Sequence, residues 1–293
     1  MSDMCLNIVL NGAFYGAILF FMASGLQIIF GVLGIINFAH AGAYMLGLYV
    51  TYAIMKAIAP ANPVLLWLAP FGAAVLVGLV GMIFERGILK FIYNRDHAFQ
   101  ILVTLGAAYI IDDAVRYEWG GYPIGMSPMV SSLVKFGNVV YPAYNLVIIG
   151  MALALAFLLW VFFQKTNIGR IIRATAHDEE ITEALGISVG RVKAGTFFFG
   201  SAIAGLAGGL MLPVTGGWPG VGMEYLILSF VVIAVAGLGS VNGALVTALL
   251  IGMVNSIGVE FFPKIELATV FILMCVILTL KPSGLFGTPH QKG

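Results

Sequence analysis

Long apolar stretches separated by short polar segments make up most of the chain. Each stretch is close to the ~20 residues with which a helix crosses ~30 Å of hydrocarbon. An outer-membrane barrel would alternate apolar and polar residues in segments of about ten, a pattern that this chain lacks. We therefore predict an all-α, polytopic helical membrane protein with about eight to ten spanning helices. The predicted spans are 6–31, 40–58, 63–84, 98–117, 145–163, 194–212, 225–241, 244–262 and 265–281.

The composition agrees with this pattern. Hydrophobic residues are 61% of the chain, and the mean hydropathy is +1.04, which a soluble domain of this length would not need. No soluble domain is appended, so residues 1–293 are expected to form a single membrane domain. Cys5 and Cys275 lie far apart in apolar runs, and we interpret them as small hydrophobic side chains. No basic residue precedes Lys56, so the first span is expected to stay in the mature protein.

Basic residues are concentrated in a few polar segments. Ten of the 14 Lys and Arg lie in residues 85–97, 163–193 and 281–293. The positive-inside rule predicts that these segments are cytoplasmic, and an odd number of spans then leaves the N-terminus outside. The outer loop 118–145, rich in Gly and Pro, is predicted to be an irregular cap. With a net charge of +1 and no basic tail, nucleic acid is not expected as a partner.

The polar block 163–193 predicts two short helices. Residues 167–176 have helical spacing, and Asp178 is a candidate N-cap for a second helix that ends at Gly186 in the left-handed region. Glu179 and Glu180 would lie in the first turn of that helix, where the helix dipole favours acidic groups. A helix of about two turns is marginal in water, so it should pack on its own domain or dock into a partner. The alternative is a solvated loop whose charge only sets topology.

Gly and polar residues interrupt the apolar pattern in two places, residues 31–40 and 237–244. Such paired interruptions in a transporter indicate a central path between internal repeats, and we expect an inverted repeat here. Polar side chains in these regions should face protein or a wet cavity, because hydrocarbon penalises them. For Asn37 and His40 the alternative is a hydrogen-bonded packing residue. The candidate path residues are Gln27, Asn37, His40, Ser240 and Asn242.

The role of the acidic residues near the outer side stays open. Asp112 and Arg116 have the i, i+4 spacing of a helical ion pair, although Asp112 and Asp113 could also receive a cationic group. Glu224 and Glu260 are expected near the outer surface, either solvated or facing a docked protein.

An ordered set of short motifs resembles the permeases of branched-chain amino acid ABC importers. The set runs from about residue 8 to residue 287 and includes the polar block itself. Its members are GLQIIFG (25–31), INFAH (36–40), GRIIRA (169–174), Asp178, Ala184, GI (186–187), RVK (191–193), GSAIAGLAGG (200–209), GLGS (237–240), GA (243–244) and KPSGLFG (281–287).

The resemblance implies that the polar block is contacted by a cytoplasmic ATPase. The chain has no G-x-x-x-x-G-K-[ST] stretch, so it is not expected to bind ATP, or any other cofactor, itself. ATP and Mg²⁺ would be used by two partner ATPase subunits, and the permease would not be an enzyme. The implied coupling residues are Arg170, Arg173, Asp178, Glu179, Ile181, Glu183, Ala184, Leu185, Gly186 and Ile187.

The resemblance also implies a multi-pass protein of the bacterial inner membrane, with a periplasmic N-terminus and a cytoplasmic C-terminus. A periplasmic binding protein would deliver branched-chain or related amino acids, and a paralogous permease would complete a heterodimer. Related permeases also serve urea, amides and aromatic carboxylates. An ion-coupled secondary transporter and an aquaporin-like channel are the alternatives from other classes.

Overall fold

The computed structural model describes residues 2–58, 63–237 and 239–287 and is dominated by helices. Short 3₁₀ turns at Pro63–Leu68 and Leu89–Phe91 flank the third helix. The α-helices are α1 (Ser2–Leu33), α2 (Ala39–Ile58), α3 (Ala69–Gly87), α4 (His97–Trp119), α5 (Ala143–Lys165), α6 (Asn167–His177), α7 (Glu179–Ala184), α8 (Val189–Thr215), α9 (Val221–Ala236), α10 (Val241–Phe261) and α11 (Glu266–Leu280).

The described ranges confirm the predicted class. Seven helices, α1 to α5, α8 and α10, are long and apolar enough to cross a membrane. Two further apolar helices, α9 and α11, are shorter, with 16 and 15 residues. The chain is therefore a multi-pass helical membrane protein.

The core of the bundle is formed by α1, α2 and α8 with α9 and α10. In its most apolar window α1 is 78% buried, whereas α5 is only 17% buried, so α5 lies at the periphery. Small residues allow close approach of the core helices. A Cβ on Gly47 of α2 would lie 2.1 Å from the Gly205 carbonyl oxygen of α8, so the two backbones touch there.

The three basic segments lie at one end of the bundle, as far as they are described. Backbone N–H groups of Leu285 and Phe286 donate to the carbonyls of Val235 and Ala236 at 2.7 and 2.9 Å. The start of α8 meets the α3–α4 connection, as detailed below. We call this the basic end of the molecule, and residues 288–293 lie outside the described residues.

A β-hairpin covers the opposite end, so the expectation of an irregular cap is wrong in part. Strands β1 (Leu133–Phe136) and β2 (Val139–Pro142) pair antiparallel, with Gly137 at φ +63° in the two-residue turn. A Gly-Asn pair between two short segments rich in Val and aromatic residues is a hairpin signal that could have been used. Tyr141 Oη donates to the Leu10 carbonyl at 3.1 Å, which fixes the start of α1 at this end.

Both interruptions of the apolar pattern lie at the basic end. The first separates α1 from α2, the second separates α9 from α10, and a Cβ on Gly31 would lie 3.7 Å from Gly239 Cα. In each pair the first helix runs toward the basic end and the second returns. The two interruptions therefore relate helix pairs of the same direction and give no support to the expected inverted repeat.

Candidate functional site

Helix α6 begins and ends where local side chains satisfy its backbone. Thr166 Oγ1 accepts from the Gly169 N–H at 3.0 Å, so Thr166 is the N-cap. Ile172 and Thr175 are buried against the bundle, and the helix extends one residue beyond the predicted 167–176. The Arg170 guanidinium donates to Asn167 Oδ1 on the exposed face.

Asp178 is the N-cap of α7, as predicted. Its Oδ1 accepts from the Ile181 N–H at 2.9 Å. The helix stops at Gly186, whose φ of +81° is in the left-handed region. The Ile187 N–H donates to the Thr182 carbonyl at 3.4 Å, the hydrogen bond expected when a left-handed residue ends a helix. Both helix signals read from the polar block are confirmed.

The apolar side chains of α7 point away from the bundle. Ile181 is 60% exposed and Leu185 is 74% exposed, and Ala184 and Glu183 are exposed beside them. The helix packs inward through Thr182, which is 2% exposed. Two large exposed apolar side chains on a short polar helix favour a protein partner over a solvated loop.

A chain of polar contacts joins α7 to the bundle. Lys193 Nζ, at the start of α8, donates to Glu179 Oε1 at 2.6 Å and lies 4.4 Å from the centroid of the Tyr93 ring. Tyr93 Oη donates to the carboxylate of Glu85, which is 2% exposed at the end of α3. We call these four residues the basic-end cluster.

Burial raises the pKa of the Tyr93 phenol, and the hydrogen bond to Glu85 raises it further. The phenol therefore keeps its proton and donates to the carboxylate. Sequence reasoning missed Glu85 and Tyr93 because their partners come from separate elements that no spacing rule connects.

Gln27 ties α1 to the second interruption. Its side chain is fully buried, and Nε2 donates to the Gly237 carbonyl at 2.8 Å. Its Oε1 has no hydrogen-bond partner among the described residues. Ser240 caps α10, because its Oγ accepts from the Gly243 N–H at 3.2 Å. The side chain of Asn242 lies outside the described residues.

Asn37 and His40 are buried at the first interruption. Asn37 Oδ1 accepts from the Ala39 N–H at 3.1 Å, which satisfies a free donor at the start of α2. His40 Nε2 lies 3.1 Å from the Met22 carbonyl oxygen, and the ring is 0% exposed. These contacts favour the packing interpretation for both residues.

A cavity of about 570 Å³ opens at the basic end between α1, α5, α6, the start of α10 and the C-terminal segment. Gln27 and Ser240, predicted for the path, line it together with Arg173 and His177 of α6. Asn37 and His40 are not among its lining residues. The structure thus joins part of the candidate path to one residue of the candidate coupling set.

At the opposite end, Arg116 Nε donates to Asp112 Oδ2 at 2.8 Å, so the predicted i, i+4 pair is confirmed. Glu224 and Glu260 are exposed there, at the start of α9 and near the end of α10.

Comparison with known proteins agrees with the resemblance. A family model described as "Branched-chain amino acid transport system / permease component" matches residues 8–280. The permease BraD of Pseudomonas aeruginosa is 27% identical, over 97% of this chain and 96% of the relative. LivH of Escherichia coli is also 27% identical, over 96% of this chain and 95% of the relative. The probable permease LivM of Methanocaldococcus jannaschii is 26% identical, over 81% of this chain and 73% of the relative.

Proposed function

We propose a function from the premise that this chain belongs to the family of permease components of branched-chain amino acid transport systems. The chain would be the membrane-spanning subunit of an ATP-driven importer. It would receive a branched-chain or related amino acid from a periplasmic binding protein and release it into the cytoplasm by alternating access. The permease performs no catalysis, and partner subunits hydrolyse ATP.

The exposed apolar face of α7 is the observation that carries the proposal. Ile181 and Leu185 project from a helix whose two ends are fixed by Asp178 and Gly186. A rigid, exposed helix of this kind suits the groove of a partner protein. Because the chain has no P-loop of its own, the partner that we infer is an ATPase subunit.

The basic-end cluster connects the docking helix α7 to the helices of the bundle. Lys193 connects Glu179 of α7 with Tyr93 and, through it, with Glu85 of α3. A displacement of α7 by the ATPase would reach α3 and α8 through these contacts. The movement would then open or close the path between α1, α9 and α10.

The orientation that follows has the basic end in the cytoplasm and the hairpin in the periplasm. The positive-inside rule supports it, because the three basic segments meet at one end. The protein would then be a multi-pass inner-membrane protein with a periplasmic N-terminus and a cytoplasmic C-terminus. The hairpin, with exposed Glu224 and Glu260 at the same end, would face the binding protein.

A second permease is the further partner that we infer. A relative named LivH and a relative named LivM both match this chain, which supports pairing with a paralogue. The peripheral helices α4 and α5, only 22% and 17% buried in their most apolar windows, leave wide apolar surface for lipid and for that subunit.

Uptake into proteoliposomes tests the proposal. The permease would be reconstituted with its ATPases, paralogue and binding protein, and radiolabelled leucine uptake followed with ATP or with an imposed ion gradient. ATP-dependent uptake that needs the binding protein supports the importer. Uptake driven by the gradient alone would identify a secondary carrier, and uptake that needs neither would identify a channel.

A positive charge introduced on α7 or just after it tests the docking surface. We expect Glu183→Arg and Gly186→Arg to abolish uptake and co-purification of the ATPase while the permease remains in the membrane. The matched control is Lys264→Glu, an exposed charge at the opposite end, which should keep ATPase binding. Normal transport in both α7 variants would contradict the coupling role.

A further inference from the structure

The basic-end cavity has an unbalanced charge. Arg173 lines it with His177, and no Asp or Glu is among the described residues of the lining. The Arg173 guanidinium donates to Gln164 Oε1 at 3.1 Å, which orients it without neutralising it. The ion pairs found among the described residues, Arg116–Asp112 and Lys193–Glu179, do not involve it. An arginine in this setting favours an anionic group, above all a carboxylate.

The start of α10 adds to this preference. Gly239 and Ser240 line the cavity where the N-terminal end of α10 begins. The N-terminus of a helix carries partial positive charge and free backbone N–H groups. Arg173 and this helix end therefore favour negative charge in the same cavity.

Gln27 contributes a hydrogen-bond acceptor, which favours a positively charged donor. Its Nε2 is committed to the Gly237 carbonyl, and its fully buried Oε1 has no hydrogen-bond partner among the described residues although Gln27 lines the cavity. A buried acceptor without a donor costs about 1–3 kcal/mol. An ammonium group is a donor only and would remove that cost.

We infer that this cavity is a binding site for a zwitterionic amino acid. The α-carboxylate binds Arg173 and the start of α10, and the α-ammonium donates to Gln27 Oε1. Ile28, Phe163 and Phe286, which also line the cavity, provide apolar surface for an aliphatic side chain. This inference rests on the proposed function and deepens it: the site is where the imported amino acid is held before release at the basic end.

The test measures binding to the complete transporter in nanodiscs, without ATP or binding protein, by isothermal titration calorimetry. The probes are L-leucine, leucinamide, which lacks the carboxylate, and 4-methylpentanoate, which lacks the ammonium. Because a hydrogen bond to a charged group contributes about 1.5–3 kcal/mol, each analogue should bind at least about tenfold more weakly than leucine.

Arg173→Gln should weaken leucine binding at least about tenfold and leave leucinamide binding unchanged. The control is Arg191→Gln at the start of α8, because Arg191 is exposed like Arg173 but does not line the cavity. Absence of leucine binding to the wild type overturns the inference. So does an Arg173→Gln variant that binds leucine normally or loses leucine and leucinamide equally.

Uptake measured on the same preparation separates the two proposals. ATP-driven leucine uptake without Arg173-dependent binding overturns only the site. Arg173-dependent binding without ATP-driven uptake overturns the importer and leaves the zwitterion site.

Discussion

Helices end in two different ways in the loop of the polar block and in the buried interruptions of the bundle. In the loop, residues 166–187, the capping hydrogen bonds join neighbours, such as Asp178 with Ile181 at a separation of 3. At the interruptions, the local caps at Asn37 and Ser240 are supplemented by buried contacts between distant residues, such as Gln27 with Gly237 at a separation of 210. The loop is a local structure placed on the bundle, whereas the interruptions are part of the bundle.

This difference has a functional meaning. A segment held by its own neighbours can present side chains to a partner and be displaced without unfolding the protein. A turn held by distant helices cannot change alone, so any movement there involves α1, α9 and α10 together. Substitutions in the loop should therefore lower transport without lowering the amount of folded protein. Substitutions at the interruptions should lower both together.

The largest contrast is expected between Gly237→Ala and Gly186→Ala. Both glycines have positive φ: Gly186, at +81°, would cost an alanine about 1–2 kcal/mol, and Gly237, with φ +95° and ψ +133°, has a conformation that residues with a side chain rarely adopt. At Gly237 a Cβ would also lie 2.5 Å from Gly287 N, whereas at Gly186 no atom of the described residues other than its chain neighbours is within 4 Å. Gly237→Ala should lose most of the monodisperse protein in size-exclusion chromatography, and Gly186→Ala should stay within about twofold of wild type. Equal losses would remove the distinction between the two regions.

His40→Ala is expected to lower abundance and transport in parallel. The substitution leaves a cavity beside α1 and removes the contact of Nε2 with the Met22 carbonyl, a loss of about 2–5 kcal/mol by analogy with other buried truncations. The measurement is uptake divided by the amount of reconstituted permease. A fall in that ratio at normal abundance would instead identify His40 as a path residue.

Lys193→Met should uncouple the loop from the bundle with little effect on folding. It removes the ion pair with Glu179 and the contact with Tyr93, each of which contributes roughly 1 kcal/mol. We expect about fivefold less substrate transported per ATP hydrolysed, with basal ATPase activity retained. Arg191→Met, at an exposed cation on the same turn, is the control and should keep the wild-type ratio.

The smallest effect is expected for Asp178→Ala. Loss of the N-cap costs about 1 kcal/mol of helix stability and should reduce transport a few-fold at unchanged abundance. Asp178→Asn keeps an acceptor of similar capping strength and should restore transport. If Asn is as defective as Ala, the charge of Asp178 matters more than its capping hydrogen bond.

The sequence predicts the loop better than the bundle for the same physical reason. The signals of Asp178 and Gly186 act over three or four residues, so a linear pattern contains them. The polarity of Gln27 and the glycines around it indicate that the apolar pattern is interrupted, but not which helix supplies the partner. The pairing of Gln27 with Gly237, and the cavity that Gln27 shares with Arg173, require the folded arrangement.

The relative direction of the two interrupted helix pairs likewise could not be predicted from the sequence. The two interruptions of the apolar pattern, residues 31–40 and 237–244, do not specify whether the corresponding helices run the same way. Only the folded arrangement, with both interruptions at the basic end, establishes that direction. The hairpin, in contrast, was within reach of the sequence, since Gly137 and Asn138 form a common turn pair.

Helix α9 is short, and its length affects the thickness of the dry layer that separates the two sides of the membrane. Its 16 residues span about 24 Å, less than the ~30 Å of the hydrocarbon layer. Because α9 is largely buried by its neighbours, the surrounding protein rather than lipid compensates for the difference. At its basic end the short helix meets the cavity lined by Gly239 and Ser240, so water from that end reaches part of the way into the bundle. An ion or amino acid beside α9 would therefore have a shorter dry distance to cross than one beside the long helices α1 and α8.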